Sequence, residues 1–222
     1  MAGGRGTRLH GLTAKAPKPM LRIGSKPLLE TIIDGFAAQG FIQFVLCVNY
    51  LAELIEAHFG DGASRGVDIT YIREEQPLGT AGALRYLPSM DGPFIVSNAD
   101  ILIQPVVQYR DLLEKHAAHG RDATMCLALY QHQVPYGVAE LDGDVVTAVQ
   151  EKPIVNHYVN AGLYVLPAHA PSMLPPGPSD MPGLLNQMTM GKYEIEGQWF
   201  DVGHFDTLAA AHIDWARRVK AA

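Results

Sequence analysis

Apolar residues along this chain fall into short continuous runs separated by amphipathic stretches, the pattern of strands layered against helices. FIQFVLCVN (41–49), VDITYIRE (67–74), PFIVSNAD (93–100) and ATMCLALY (123–130) read as buried strands. Between them, PLLETIIDGFAAQG puts Pro27 in a first helical turn and Gly40 past the last one. Leu51, Leu54, Ile55 and Phe59 form an apolar helical stripe that ends at Gly60, and VVQYRDLLEKHAAHG predicts a third helix. The style changes after about residue 135. There VAEL, the turn pair Asp142-Gly143 and VVTAVQEK predict a hairpin, followed by a strand at HYVNAGLYVLP. PPGPSDMP (175–182) predicts a loop and FDTLAAAHIDWARRV a C-terminal helix. The alternation predicts an α/β fold with a mixed, mainly parallel sheet flanked by helices, extended by a mixed sheet in the second half.

Length and composition narrow the class. With 222 residues, 48% hydrophobic and 18% charged, the chain fits one compact domain, and no run reaches the apolar length of a membrane span. A glycine-rich, basic beginning differs from an apolar signal segment, so the expectation is a soluble cytoplasmic protein that does not enter a membrane. Cys47 and Cys126 lie inside apolar runs and are expected as buried free thiols. A net charge of −6 argues against a nucleic-acid partner. Against that background, residues 3–26 carry Arg5, Arg8, Lys15, Lys18, Arg22 and Lys26 with no acidic residue among them, which marks an anion site. The nine histidines form no recognised zinc spacing, and the helix dipole accounts for His116 and His119 near a helix end.

The chemistry is concentrated in AGGRGTRLHGLTAKAPKPM, residues 2–20. Gly3, Gly4 and Gly6 let backbone N–H groups approach an anion closely, and Arg5, Arg8 and Lys18 add charge. A Walker A loop is excluded because no Gly-Lys-Ser/Thr follows, and Leu9 stands where a dinucleotide fingerprint needs a small residue. The plainer alternative, a solvated surface loop, gives the glycines no reason to cluster with the cations.

This stretch resembles the signature GGxGTRLxxLTxxxPKPM of the sugar-1-phosphate nucleotidyltransferases, especially mannose-1-phosphate guanylyltransferase-like members. The likeness continues through KPLLETII, EEQPLGTAGAL, SNADIL, PYGV, EKP, VNAGLYVL and WFDVG in the family's order. It implies a Rossmann-like, GT-A-like domain over residues 1–222, with residues 1–134 as the nucleotide half and 135–222 as the sugar-phosphate half. The implied reaction moves a nucleotidyl group, preferably guanylyl, from a nucleoside triphosphate to a sugar 1-phosphate, releasing pyrophosphate. Ala2, Gly3, Gly4 and Gly6 would hold the nucleotide, with Arg5 and Lys18 at the reacting phosphates. Gln76, Gly79 and Asn98 would complete the nucleotide pocket, although QPLGTA also reads as a simple helix start. Asp100, at the end of an apolar strand, and Asp201 of WFDVG would bind Mg2+. A lone Asp at a strand end more often serves a turn; the surrounding motifs reverse that reading. Gly137, Glu151, Lys152, Asn160 and Gly162 would form the sugar-phosphate pocket. As strand neighbours facing opposite sides, Glu151 and Lys152 are expected not to pair.

Four departures stand out, the first two of them in the fold. Family members carry an apolar strand before AGG, so the sheet is expected to lack its first central strand. MPGLLNQMTMGKYEIEGQWF looks too short for the helix and strand that normally precede WFDVG, which bears on Asp201. Asn98-Ala99-Asp100 stands where Asn-Gly-Asp is usual, and His204 where arginine is common. Competing readings are a catalytically silent binding module, a uridylyl or thymidylyl transferase, and a transferase acting on a non-sugar phosphate such as phosphocholine. Such enzymes are commonly homo-oligomers.

Overall fold

The computed structural model describes every residue except Arg5, His10 and Ala222. In chain order its elements are β1 (Arg22–Ile23), β2 (Lys26–Pro27), α1 (Leu28–Ala37), β3 (Gln43–Val48), α2 (Ala52–Phe59) and β4 (Asp68–Arg73). There follow β5 (Phe94–Ser97), β6 (Ile101–Gln104), α3 (Tyr109–His119), β7 (Ala123–Gln133), β8 (Gly137–Asp142) and β9 (Val145–Glu151). The chain closes with β10 (Ile154–Leu166), α4 (Met181–Leu185), β11 (Met190–Glu194), β12 (Gln198–Asp201) and α5 (Phe205–Ala221).

The class is the expected α/β with a mixed sheet flanked by helices. β3 and β4 pair in parallel, and a four-stranded sheet runs in the order β11-β7-β10-β5. Its antiparallel share is larger than the alternation of segments suggests. The reason is β10: its long run pairs antiparallel with β7 on one side and with β5 on the other, and only β11 adds a parallel edge. Helical residues supply the expected apolar faces. Leu29, Ile33 and Ile55 pack against Leu46 and Val48, whereas Leu54 of the predicted stripe is 40% exposed. Leu51 caps α2 with a left-handed backbone, so it stands outside the helix.

Between β3 and β5 the only backbone partners described are Met1 and Ala2, so the central position expected to be empty is bridged at one end alone. The segment before β12, by contrast, does hold both a helix and a strand. Asp180 caps α4 by accepting from the Gly183 N–H at 2.7 Å, and β11 pairs with β7. Five residues suffice for each, which removes the length objection to Asp201 and moves Met181-Pro182 out of the predicted loop.

Both cysteines are buried and free, and burial pushes the Cys126 thiol up to about 12. His116 and His119 converge on the Thr124 hydroxyl at 2.8 and 2.7 Å, so a shared hydrogen-bond partner, beyond the helix dipole, accounts for them. The β8–β9 hairpin stands out of the body, with Leu141, Val145, Val146 and Val149 all more than half exposed. No helix among the described residues is long and apolar enough to cross a membrane.

Leu166, fully buried at the end of β10, packs in a cluster with Leu174 and Leu184. Leu166→Ala should destabilise the chain by about 2–5 kcal/mol, the usual cost of a lost core side chain plus the cavity left behind. Urea titration measures it; a loss well under about 1 kcal/mol would mean that the neighbours close the gap.

Candidate active site

Asp100 and Asp201 lie a hundred residues apart in sequence and side by side in space. Asp100 occupies the turn between β5 and β6, and β6 pairs antiparallel with β12 in a register that puts Asp201 opposite Ile101. A bond from the Val202 N–H to the Asp100 carbonyl, 2.9 Å, fixes the two turns together. The carboxylates converge on one cation. Lys18 Nζ lies 2.6 Å from Asp100 Oδ2 and 3.5 Å from Asp201 Oδ1. Its side chain is 11% exposed, against 33% and 44% for the two acids, so the charges are part-buried and open to one side. Lys18 enters from a short 3-10 turn, Lys18–Met20, introduced by the extended Pro17. Two hard oxygen donors already sharing a positive charge fit a divalent ion of the magnesium type, which needs few protein ligands when a substrate supplies others.

The glycine-rich turn leads into this cluster. Gly6 has φ +60, and a Cβ there would come within 3.1 Å of Lys18 Cβ and 3.0 Å of Thr13 Cγ2. Thr13 also closes the loop, donating to the Gly6 carbonyl at 3.1 Å. Ala2 is buried beside Cys47, while Gly4 is exposed with open space around it. Arg5 lies outside the described residues. The cationic island is less free than its sequence suggests: Lys18 is held by distant acids, Lys26 pairs with Asp34 at 2.5 Å, and Arg22 donates to the Ser25 carbonyl. Arg8 approaches His204 at 3.2 Å, which gives that histidine a place beside the entrance of the cluster.

Asn98, Asn160 and Gly162 adjoin the acids. The Asn98 N–H donates to the Gly162 carbonyl at 2.8 Å, and the Gly162 N–H donates to Asn160 Oδ1 at 3.0 Å. Asn160 in turn donates to the Tyr164 hydroxyl at 2.7 Å. Gly162 has φ +76 at the irregularity where β10 shifts register against β7, and a Cβ there would fall 2.6 Å from Asn98 Nδ2. Gly162→Ala should therefore cost more than about 1 kcal/mol of stability, since the left-handed backbone alone costs that much. Because Asn98 must move, it should also lower turnover. Unchanged urea midpoint and turnover would deny the close packing.

The predicted base turn is a real turn with an unforeseen partner. Gly79, at φ +77, is packed against the backbone of Ser179. Ser179 donates to the Leu78 carbonyl at 2.9 Å and accepts from the Ala81 N–H at 3.0 Å. A 3-10 helix, Gly82–Tyr86, follows in place of an α-helix start, and Gln76 is exposed. Sequence reasoning missed Glu74. One of its carboxylate oxygens accepts from the Leu78 N–H at 2.9 Å, and the other lies where a Cβ on Gly3 would meet it at 2.8 Å. Its position at the end of β4, just before QPLG, was the available signal.

Gly137, Glu151 and Lys152 form a separate group at the foot of the β8–β9 hairpin. Gly137 pairs with Glu151 across the ladder, and both side chains of the Glu-Lys pair are mostly exposed. The expectation that Glu151 and Lys152 cannot pair is corrected. Lys152 has φ +48, leaving the strand conformation, and its Nζ comes to 3.9 Å from Glu151 Oε1. The alternation of faces applies only while the backbone stays extended.

The family model described as nucleotidyl transferase matches residues 1–218. The chain belongs to the nucleotidyl transferase family. Among the relatives of this nucleotidyl transferase chain is the mannose-1-phosphate guanyltransferase of Pichia angusta, 35% identical over 218 residues. The Candida albicans protein of the same name is 34% identical over 218 residues. These alignments take in 91% of this chain but 59% and 60% of the relatives, so the chain spans about three fifths of their length. Among solved structures, HddC from Yersinia pseudotuberculosis superposes with a TM-score of 0.74 at 25% identity, with 96% of each chain covered. A putative glucose-1-phosphate thymidylyltransferase from Bacillus anthracis reaches 0.73 at 21% identity over 96% of this chain and 92% of its own, a likeness of fold.

Proposed function

We propose that this chain transfers a nucleotidyl group, by preference guanylyl, from a nucleoside triphosphate to a sugar 1-phosphate. The observation that carries the reading is the convergence of Lys18, Asp100 and Asp201 beside the glycine-rich turn. An oxygen of the sugar phosphate attacks the α-phosphorus, the bond from that phosphorus to the β-bridging oxygen breaks, and pyrophosphate leaves with the bonding pair. Such a displacement needs positioning and charge neutralisation more than a covalent nucleophile. Lys18 and Arg5 meet the negative charge of the phosphates, and the backbone of Ala2, Gly3, Gly4 and Gly6 bounds the nucleotide. Asp100 and Asp201 are the residues that would hold a magnesium ion, which supplies further neutralisation of the triphosphate when bound.

Gly79 and its neighbours, with Gln76 and Asn98, form the rest of the nucleotide side. Asn160 and Gly162, adjoining Asn98, face the sugar phosphate together with Gly137, Glu151 and Lys152 at the hairpin foot. The preference for guanine and a mannose-type sugar rests on relatives named mannose-1-phosphate guanyltransferase. The deciding experiment measures pyrophosphate release for GTP, UTP, dTTP, ATP and CTP against a set of sugar 1-phosphates, with and without magnesium. Release that requires a sugar 1-phosphate and is fastest with GTP supports the reading. Nucleotide binding without release across the whole set would make the chain a binding module instead.

A further inference from the structure

β7 and β10 outrun the sheet they belong to. β11 follows β7 only as far as Leu127, and β5 follows β10 only over residues 163–166, so from Leu129 on the two long strands have a ladder only with each other. That ladder continues into the hairpin. The Val134 N–H donates to the Pro153 carbonyl at 3.0 Å, the Lys152 N–H donates to the Tyr136 carbonyl at 3.2 Å, and Gly137 pairs with Glu151. Residues 129–158 thus make one two-stranded arm, kinked where Lys152 takes its left-handed backbone. Every residue of β8 and β9 is exposed, and so are the last five of β7. More than half of the large hydrophobic side chains that the described residues expose lie on this arm.

A bulge sorts the apolar side chains of the hairpin onto one face. Directly opposed residues of an antiparallel pair share a face, as do alternate residues along a strand. Ala139 opposes Val149 and Leu141 opposes Val146, so Thr147 is an extra residue in β9; without it Val146 would face away from Val149. Ala139, Leu141, Val146 and Val149 therefore form one apolar patch. Val145, the neighbour of Val146, belongs to the other face with Asp142, where Gln150 also donates to Glu140 at 2.8 Å. Two strands with an uncovered apolar face are marginally stable in water, so this face needs a cover.

We propose that a second copy of this chain covers it, hairpin face against hairpin face, with the two arms antiparallel about a two-fold axis. Charge selects both the partner and the direction. The tip carries Asp142 and Asp144, which an anionic surface repels and which would meet their own copies in a parallel arrangement. Antiparallel arms instead place each tip at the other copy's foot, where Lys152 is more than half exposed and held by Glu151 only at 3.9 Å. A two-fold contact sets the same patch on both sides, and a patch uncharged along its middle meets that condition. The arm extends about 45 Å at about 3.3 Å per residue, and one side of a ribbon that long comes close to the about 800 Å² per partner that a stable interface takes. The same bulge twists β9 and works against edge-to-edge pairing. The foot of the arm holds Gly137, Glu151 and Lys152, so the contact also closes the sugar-phosphate end of the site. That consequence rests on the function proposed above; the interface itself does not.

Sedimentation velocity of the full chain, without substrate, tests the contact. A dimer should be present at micromolar concentration. Leu141→Lys should weaken it by about tenfold or more, the usual loss for a side chain at the centre of an interface, while Val145→Lys, an equal change on the opposite face, should leave it within about threefold. Both side chains are exposed in the single chain, so both variants should keep the fold. With the dimer dissociated, the KM for sugar 1-phosphate should rise by about threefold or more and the KM for the nucleoside triphosphate should not. A monomer throughout, a dimer indifferent to Leu141→Lys, or equal losses from the two substitutions would overturn the interface. An unchanged KM for the sugar phosphate in the dissociated variant would overturn its part in the site. A parent chain that releases no pyrophosphate would sink the proposed function and leave the interface to be decided by sedimentation.

Discussion

Asp100→Asn should lower turnover by about 10²-fold or more, the usual consequence of losing one preorganised electrostatic group in a reaction dominated by charge. The substitution keeps size and shape, so the β5–β6 turn and its backbone bond to Val202 should survive. What disappears is one of the two negative charges facing Lys18. A metal role and a purely structural role then separate. If Asp100 serves only as an ion-pair partner of Lys18, the variant should lose stability and keep its rate per folded molecule. If it holds a divalent ion at the triphosphate, Tm should stay close to the parent while turnover falls and the magnesium requirement shifts to higher concentration. Pyrophosphate release within a few-fold of the parent would remove Asp100 from the chemistry.

Lys18→Met should have a comparable effect on rate and a different one on stability. The methionine fills a similar volume but leaves Asp100 and Asp201 facing each other without a cation. Both acids are about a third or more exposed, so the cost is well below that of breaking a fully buried pair, about 1–2 kcal/mol. Magnesium should restore much of that loss, because a divalent ion supplies the missing positive charge. Turnover should remain down by about 10²-fold with the metal present, since Lys18 also meets the phosphates. Thermal melts with and without magnesium, run beside steady-state pyrophosphate release, check both parts. A rate within a few-fold of the parent would confine Lys18 to holding the acids apart.

Much of this architecture was legible in local pattern. Pro27 and Gly40 bracketed α1, the apolar runs gave β3, β4, β5 and β7, and Asp142-Gly143 gave the hairpin. What stayed hidden depends on partners distant in sequence. Four-residue strands such as β6 and β12 carry too little periodicity to announce themselves, and each is a strand because the other lies beside it. α4 is only five residues long, and its Asp180 cap sits among prolines that read as loop. Lys18 looked like one cation among six; its neutralising acids come from residues 100 and 201, so no local window reveals that it is bound. The same holds for Gly79, which needs its conformation because Ser179 lies against it. Glu151 and Lys152 failed for another reason: strand alternation was applied one residue past the point where the backbone leaves the strand.

The central claim is that one part-buried lysine and two acids serve a displacement at an α-phosphorus. Its most direct test follows GTP labelled at the α-phosphorus, with mannose 1-phosphate and magnesium, and identifies where the label goes. The account predicts label in a guanosine diphosphate sugar, formed one-to-one with pyrophosphate and absent when either the sugar phosphate or magnesium is left out. Label that stays in GTP, or appears in GMP or GDP at a rate indifferent to the sugar phosphate, would contradict it.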